Sequence, residues 1–339
     1  IQGVAARLDG SSHDTFAGTE LHQRLSERYA SGVEWLLGLD LHRLFVEAAG
    51  ETSPEQVAMM ERFGLFEATT MVFERHRDDF GSSIDAEIRF SGPRRGIAAW
   101  LAEPAPLSTL DFVSRDAYLV SAAAAKDGAD LFDELLGMVA AAGPDALTEL
   151  ESFETEIGID LRDDLAAAIG GEGTFAVDGP ILPVPTWKLV IEVYDPATLE
   201  HTIGEIVQRA NTELAANGVE LITVETQTVG GRVLTTLHHP SNPVSFTYTM
   251  TDGFLVAGSS RWAVEQAIAV RQSGMGLAQS AGFRELLPDN GFTDCSALIY
   301  RNLSPIVGVL PQGSLGEEFG QYETLLKESA APGLYCAYG

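Results

Sequence analysis

Apolar residues recur at every second position from Trp187 to Val193 (Trp187, Leu189, Ile191, Val193), alternating with Lys188, Glu192 and Tyr194. This period predicts a strand with one mostly apolar face. Asp195-Pro196 follows, a helix cap with proline at the first helical position. The period then lengthens: Leu199, Ile203, Ile206, Val207, Ala210 and Leu214 form a helical stripe, which Asn217-Gly218 stops. Strands are predicted over Val219–Thr228 and Arg232–His238, joined across Gly230-Gly231. Val244, Phe246, Tyr248 and Met250 alternate with Ser245, Thr247 and Thr249, which assigns the hydroxyl row to a solvated face. Asp252-Gly253 marks a hairpin into Phe254–Gly258, and a helix begins near Arg261.

Upstream, Ala129–Ala142 reads as a helix with Leu131, Leu135 and Met138 inward. Asp160 caps a short helix carrying Leu161, Leu165 and Ile169, and Gly170-Gly171 ends it. Glu67–His76 and Ile84–Phe90 read as paired strands around a Gly81-Ser82-Ser83 turn. A repeat runs through this pattern. Gln2, Ala5, Arg7 and Gly10 match Gln266, Ala269, Arg271 and Gly274, and the stretch Phe16–Thr19 parallels Leu277–Ser280. Leu21, Leu25, Leu36 and Leu41 then fall opposite Phe283, Leu287, Leu298 and Leu303. The expectation is an α+β fold of duplicated modules, each an antiparallel β-meander with helices packed on one side. Pro104 and Pro106 mark the boundary. Residues 1–105 are assigned to the C-terminal part of a first repeat module and 106–339 to a second, with truncation at its end left open. On this reading the chain begins inside a module and belongs to a longer parent.

Composition narrows the function. The chain has 339 residues, 21 basic and 49 acidic, for a formal charge of −28. Such a balance repels phosphates, which argues against nucleic-acid binding and against adsorption to an anionic membrane. No apolar run is long enough to span a membrane; Ala117–Ala125 is about half the needed length. There is no initiator Met and no basic-then-apolar leader. Only Cys295 and Cys336 are present, which excludes a four-cysteine zinc site and leaves open either one disulfide or two buried thiols.

The segment Phe153–Val177, FETEIGIDLRDDLAAAIGGEGTFAV, resembles the bacterial family called protein of unknown function 3352. Tyr248–Ser260, Ser280–Pro288 and Ala297–Leu303 resemble it again. The resemblance covers residues 105–310, with residues 1–45 as a repeated tail. It implies a bacterial protein with an extracytoplasmic body, periplasmic or extracellular, in many members held by an N-terminal membrane anchor that lies outside this chain. It implies no activity and carries over no catalytic residue.

The residues that could carry chemistry read as structural instead. No pair among His13, His22, His42, His76, His201, His238 and His239 has HExxH or HxH spacing. His238 and His239 end a strand and point to opposite faces, and His201 lies off the apolar stripe of its helix. Asp160, Asp163 and Asp164 complement a helix dipole and lack the spacing of a calcium loop. Gly170, Gly171 and Gly173 follow a helix and precede a strand, the wrong order for a phosphate cradle. No nucleophile elbow or Walker lysine is present. Arg94-Arg95 reads as surface pairing or a helix start rather than an anion site, and the Asn302-Leu303-Ser304 sequon is a weak signal. No catalytic, cofactor or metal residue is assigned.

What remains is a candidate contact loop. Pro180, Pro183 and Pro185 deny donors to a sheet, yet Ile181, Leu182 and Val184 stand among them, with Trp187 beyond. They either cover one end of the core or meet a protein partner or a second copy. The favoured expectation is a non-catalytic extracytoplasmic binding or scaffold protein. The alternatives are a carrier of apolar small molecules, in a cavity lined by Phe246, Tyr248 and Met250, and a hydrolase with an unrecognised site.

Overall fold

The computed structural model describes residues 16–77, 82–142, 144–182, 184–241, 245–288, 294–305 and 330–339. The chain divides into two compact units, residues 1–99 with 138–143, and residues 100–137 with 144–339.

In the first unit, Thr19 caps helix α1 (Glu20–Ala30) by accepting from the His22 amide at 3.1 Å. Strand β1 (Trp35–Asp40) follows, and Asp40 caps α2 (Leu41–Ala49). Helix α3 (Pro54–Arg62) starts with a capping box between Ser53 and Gln56. Strands β2 (Ala68–Arg77) and β3 (Ser82–Phe90) complete an antiparallel sheet in the order β1-β2-β3. Helix α1 lies so close to β1 that a Cβ on Gly38 would come within 2.9 Å of Leu21 and Leu25. Beneath it, Val72 and Thr70 are buried. Arg24 and Arg28, one turn apart on α1, both reach Glu87, and Arg28 also pairs with Glu74 at 3.1 Å.

The second unit holds β4 (Leu119–Ala124), α4 (Gly128–Ala142, whose last residues belong to the first unit), α5 (Pro144–Ile157) and β5 (Ile169–Val177). Then come β6 (Trp187–Val193), α6 (Pro196–Ala216), β7 (Thr223–Val229), β8 (Arg232–His238), β9 (Phe246–Thr251) and β10 (Phe254–Gly258). Helix α7 (Arg261–Ser273), the short α8 (Ala281–Arg284), β11 (Ala297–Arg301) and β12 (Gly333–Ala337) close the list. Among the described residues these strands form one antiparallel sheet in the order β12-β11-β4-β5-β6-β10-β9-β8-β7. The two glycine-bearing hairpins are tight because their backbones turn left-handed: Gly230 and Gly231 have φ of 57° and 80°, Asp252 and Gly253 of 53° and 82°.

Each residue on a strand alternates between an inner and an outer face. The inner face is dry. Val120, Ala122, Ala176 and Leu298 pack with Leu110, Val113, Leu277 and Phe283, and Val190 and Val256 pack with Phe112 and with Val264, Ala267 and Ile268 of α7. The outer face is covered at the β6–β10–β9 end, where Val193, Tyr248 and Leu255 meet Leu199 and Ile203 of α6. The chain therefore has the expected antiparallel α+β fold, with a helix on each face of its central strands where the sequence pattern placed helices on one side.

Further expectations change. Thr247 and Thr249 are buried, not solvated, because α7 covers their face. Lys188, read as a polar-face residue, is fully buried on that same face. Gly170 and Gly171 lie within β5, not at a helix stop; a Cβ on Gly171 would strike the Ala125 carbonyl at 2.2 Å. The preceding segment, Leu161–Ala166, is one π-helical stretch capped by Asp160, and Leu135 of α4 is exposed. Strand β7 begins at Thr223, four residues later than its apolar pattern predicts. Residues 1–15, the Gly81 of the expected turn, Pro183 and Val244 lie outside the described residues.

Two stretches share a local plan. Phe16–Gly18 and Leu277–Gln279 are 3-10 turns, each followed by a hydroxyl cap, Thr19 or Ser280, and a helix. Leu21 packs over Gly38, and Phe283 packs on Tyr300 with ring centroids 5.8 Å apart. The β1–β2 pairing, from Trp35↔Arg75 to Leu39↔Met71, has the register of β11–β12, from Ala297↔Ala337 to Arg301↔Gly333. Adding 262 to each number of the first pairing gives the second.

The arginine cluster sets an acid limit. Partial burial pushes the Glu87 carboxyl up, but hydrogen bonds from Arg24, Arg28 and Arg89 outweigh it and bring it to about 2, against an ordinary 4.5. A carboxyl lowered on folding contributes stability that is present above the ordinary value and is lost as pH falls towards the folded one. After discounting for solvent screening, Glu87→Gln should cost the first unit about 1–2 kcal/mol at pH 7. It should also flatten the acid dependence between pH 4.5 and about 2. Hydrogen exchange of the β2 and β3 amides measures both, and an unchanged pH profile would refute the account.

Candidate functional site

The proline loop runs from Asp178 to Thr186 and is pinned at its neck, where the Asp178 amide donates to Thr186 O at 3.0 Å and the Thr186 amide to Pro180 O at 2.8 Å. Pinning the neck turns the apolar residues outward. Leu182 is 80% exposed and Val184 is exposed, while Ile181 is half-buried. Trp187, also half-buried, stacks on Phe175 at 6.2 Å and lies 5.9 Å from Phe246. Of the four residues singled out from sequence, two are thus displayed and two are partly packed.

The outer sheet faces carry more apolar surface than the loop. In the second unit one cross-strand row reads Tyr335, Ile299, Ser121, Phe175, Leu189. Leu189 packs into the α6 core, whereas Phe175, Ile299 and Tyr335 are exposed. In the first unit the outer face carries Trp35, Leu37 and Leu39 on β1, Met71 and Phe73 on β2, and Ile84 and Ile88 on β3, with Arg75, paired to Glu34 at 3.2 Å, between Trp35 and Ile84. Leu37 is 50% exposed and Ile84 63%. Sequence reading missed this face because β1 is short and its mate is distant in the chain. The alternations Trp35, Leu37, Leu39 and Ile84, Ala86, Ile88 were its available signals.

On the opposite face of that sheet, register assembles a group that spacing hides. Glu74 and His76 are two apart on β2, and Asp85 on β3 is the partner of Glu74. One ligand atom from each lies within 4.8 Å of the others. Glu74 is buried; its Oε1 pairs with Arg28, while its Oε2 has no hydrogen-bond partner and sits 3.8 Å from His76 Nε2. A search for histidine pairs passes over this E-x-H pattern, because the third member comes from another strand.

A groove of about 600 Å³ lies between α6 and β7, lined by residues that include Gly204, Gln208, Asn211 and Val224, and it is open to solvent. Asn211 closes one end by holding Ile222 through both backbone groups, at 2.7 and 2.9 Å. Phe246, Tyr248 and Met250, the expected lining of a carrier cavity, instead pack in and against the α6 core. His201 and His238 are exposed, and His239 is held by Glu220 O at 2.9 Å. Asp160 and Asp164 hold backbone amides of their own turn, and Asp163 pairs with Arg162, which also bridges to Asp133. Arg94 and Arg95 are exposed, and Ser304 donates to Ala330 O. Cys295 and Cys336 form a disulfide beside the β11–β12 pairing, with Cα atoms 5.5 Å apart.

Lys188 is the most deeply buried cation described. Its Nζ donates to Asp178 at 2.6 Å and to Gln266 at 3.3 Å. Asp178 also accepts from the amide and hydroxyl of Ser114. Burial pushes the ammonium down, and Asp178 offsets this only in part. No solvent reaches Nζ, so the pair ties the proline loop to the core and offers nothing to a substrate.

The fold defines an α+β protein built on two antiparallel sheets. Within that class, the family model described as Protein of unknown function (DUF3352) matches residues 145–327, more than half of the chain. The chain belongs to this family. No curated protein and no solved structure matches it.

Removing one partner of a buried ion pair strands the other. Lys188→Met should therefore cost about 3–5 kcal/mol in urea unfolding, and adding Asp178→Asn should restore a large part of it. Because the lysine is lowered on folding, its contribution to stability rises with pH between the folded value and 10.5. A loss under 1 kcal/mol, or additive costs in the double variant, would contradict this role.

Proposed function

We propose that this protein is a non-catalytic binding or scaffold protein, built from repeated α+β modules, that uses the apolar outer faces of its sheets as contact surfaces. The observation that carries the reading is the first unit's outer face, where Trp35, Leu37, Leu39, Ile84 and Ile88 stand exposed around the cation Arg75. Soluble chains rarely leave so many large apolar side chains together in water without a partner for them. The repeat reading draws support from the shared register of β1–β2 and β11–β12. The simplest occupant is the same face of a second copy, because two sheet faces pack at about 10 Å separation with their side chains interleaved.

Sedimentation at rising concentration should reveal a dimer, and Leu37→Thr with Ile84→Thr and Ile88→Thr should abolish it while leaving the melting temperature nearly unchanged. A chain that stays monomeric to millimolar concentration would refute self-association. A large stability loss in the variant would show these side chains to be core.

An extracytoplasmic location is part of the same proposal. It is supported by the pairing of Cys295 with Cys336, since such bridges persist in oxidising compartments. Thiol titration of the unfolded, unreduced protein from its native source should find no free thiol; two would place it in a reducing compartment.

A further inference from the structure

We infer that Glu74, His76 and Asp85 form a binding site for a divalent transition-metal cation, zinc foremost, on the inner face of the three-stranded sheet. Residues two apart on one strand project from the same face, as does the cross-strand partner of either. The β2–β3 register therefore aims all three at one point. The independent observation is Glu74 itself. It is 95% buried, Arg28 occupies only its Oε1, and Oε2 is left without a hydrogen-bond donor. A buried carboxylate oxygen with no partner is costly, and a cation is one of the few things that satisfies it. At 3.8 Å the His76 nitrogen is too far to donate to that oxygen. The spacing instead suits two ligands of one ion, whose bonds of about 2.0–2.2 Å place neighbouring ligand atoms about 3–4 Å apart.

The donor set selects the class of ion. One imidazole nitrogen with two carboxylates favours zinc or manganese over calcium and magnesium, which take oxygen ligands. Two carboxylates balance the charge of a divalent ion. Arg28 acts behind them, fixing the Glu74 carboxylate as an outer partner does in built metal sites. His76 and Asp85 are half-exposed, so the ion has an entry path and keeps positions for water.

The test measures zinc binding to the whole chain by calorimetry, beside His76→Ala and Asp85→Asn. Both substitutions sit at half-exposed positions and should leave the fold intact, which circular dichroism checks. One zinc per chain should bind, with affinity reduced roughly 100-fold in each variant. Cobalt substitution should give visible bands of a mixed nitrogen and oxygen site, lost in His76→Ala. Millimolar calcium should not displace zinc. Binding equally tight in the wild type and both variants would overturn the site, as would no zinc binding at all. Calcium competing at parity with zinc would overturn the assigned class of ion.

Discussion

Everything in the larger unit follows from one constraint: the inner face of its sheet is dry under α7 and the turns around Leu110 and Leu277. A polar side chain there has no water to fall back on, so each must find a partner inside the protein. Thr109 and Thr174 share a hydrogen bond of 2.7 Å, Thr236 and Thr247 one of 3.0 Å, and Thr249 donates to Val233 O at 2.7 Å. Lys188 and Asp178 neutralise each other. These pairings also fix the strands lengthwise. A slip of one residue would carry Lys188 to the outer face and bring Leu189 and Ile191 against partners shaped for Val190. The polar residues inside thus hold register, a service apolar packing supplies less sharply.

This constraint explains where the sequence was readable. Period and cap chemistry are local, so β6, α6 with its Asp195 cap, and the Asp252-Gly253 hairpin stand where the pattern put them. Which face is wet is not local. Thr247 and Thr249 look like the solvated side of a half-buried strand until α7, a dozen residues on, folds over them. Lys188 misleads in the same way, since a strand buried on both faces need not alternate cleanly. Gly170 and Gly171 read as a helix stop because glycine serves equally where another backbone comes close, here at Ala125. The Glu74, His76 and Asp85 group was invisible for a related reason. Its members are brought together by strand register, which no spacing rule encodes.

The two strand pairs of matching register carry different chemistry. Under the offset of 262, Glu74 of β2 corresponds to Cys336 of β12. In the nine-stranded sheet that position joins the core and a disulfide. In the three-stranded sheet it carries a buried carboxylate facing Arg28. Fewer strands bury less apolar surface, so the smaller sheet has less hydrophobic stabilisation to draw on. Ion pairs from α1 to Glu74 and Glu87 supply part of the cohesion between helix and sheet that apolar contact supplies in the larger unit.

Among the described residues, cover on the outer faces ends where helices end. Along the row from Leu189 to Phe175, Ile299 and Tyr335, exposure begins one strand beyond the α6 core. The outer face of the first unit likewise has Trp35, Leu37, Ile84 and Ile88 exposed. A chain of formal charge −28 is otherwise well suited to remain solvated and apart from its copies. That repulsion is spread over the surface and screened within about 10 Å at ordinary salt, whereas apolar contact acts only at the face. The combination disfavours random adhesion and leaves the mostly apolar sheet faces as the places where close approach is rewarded. Charge and apolar exposure are in this sense one design: the first confines association to the second.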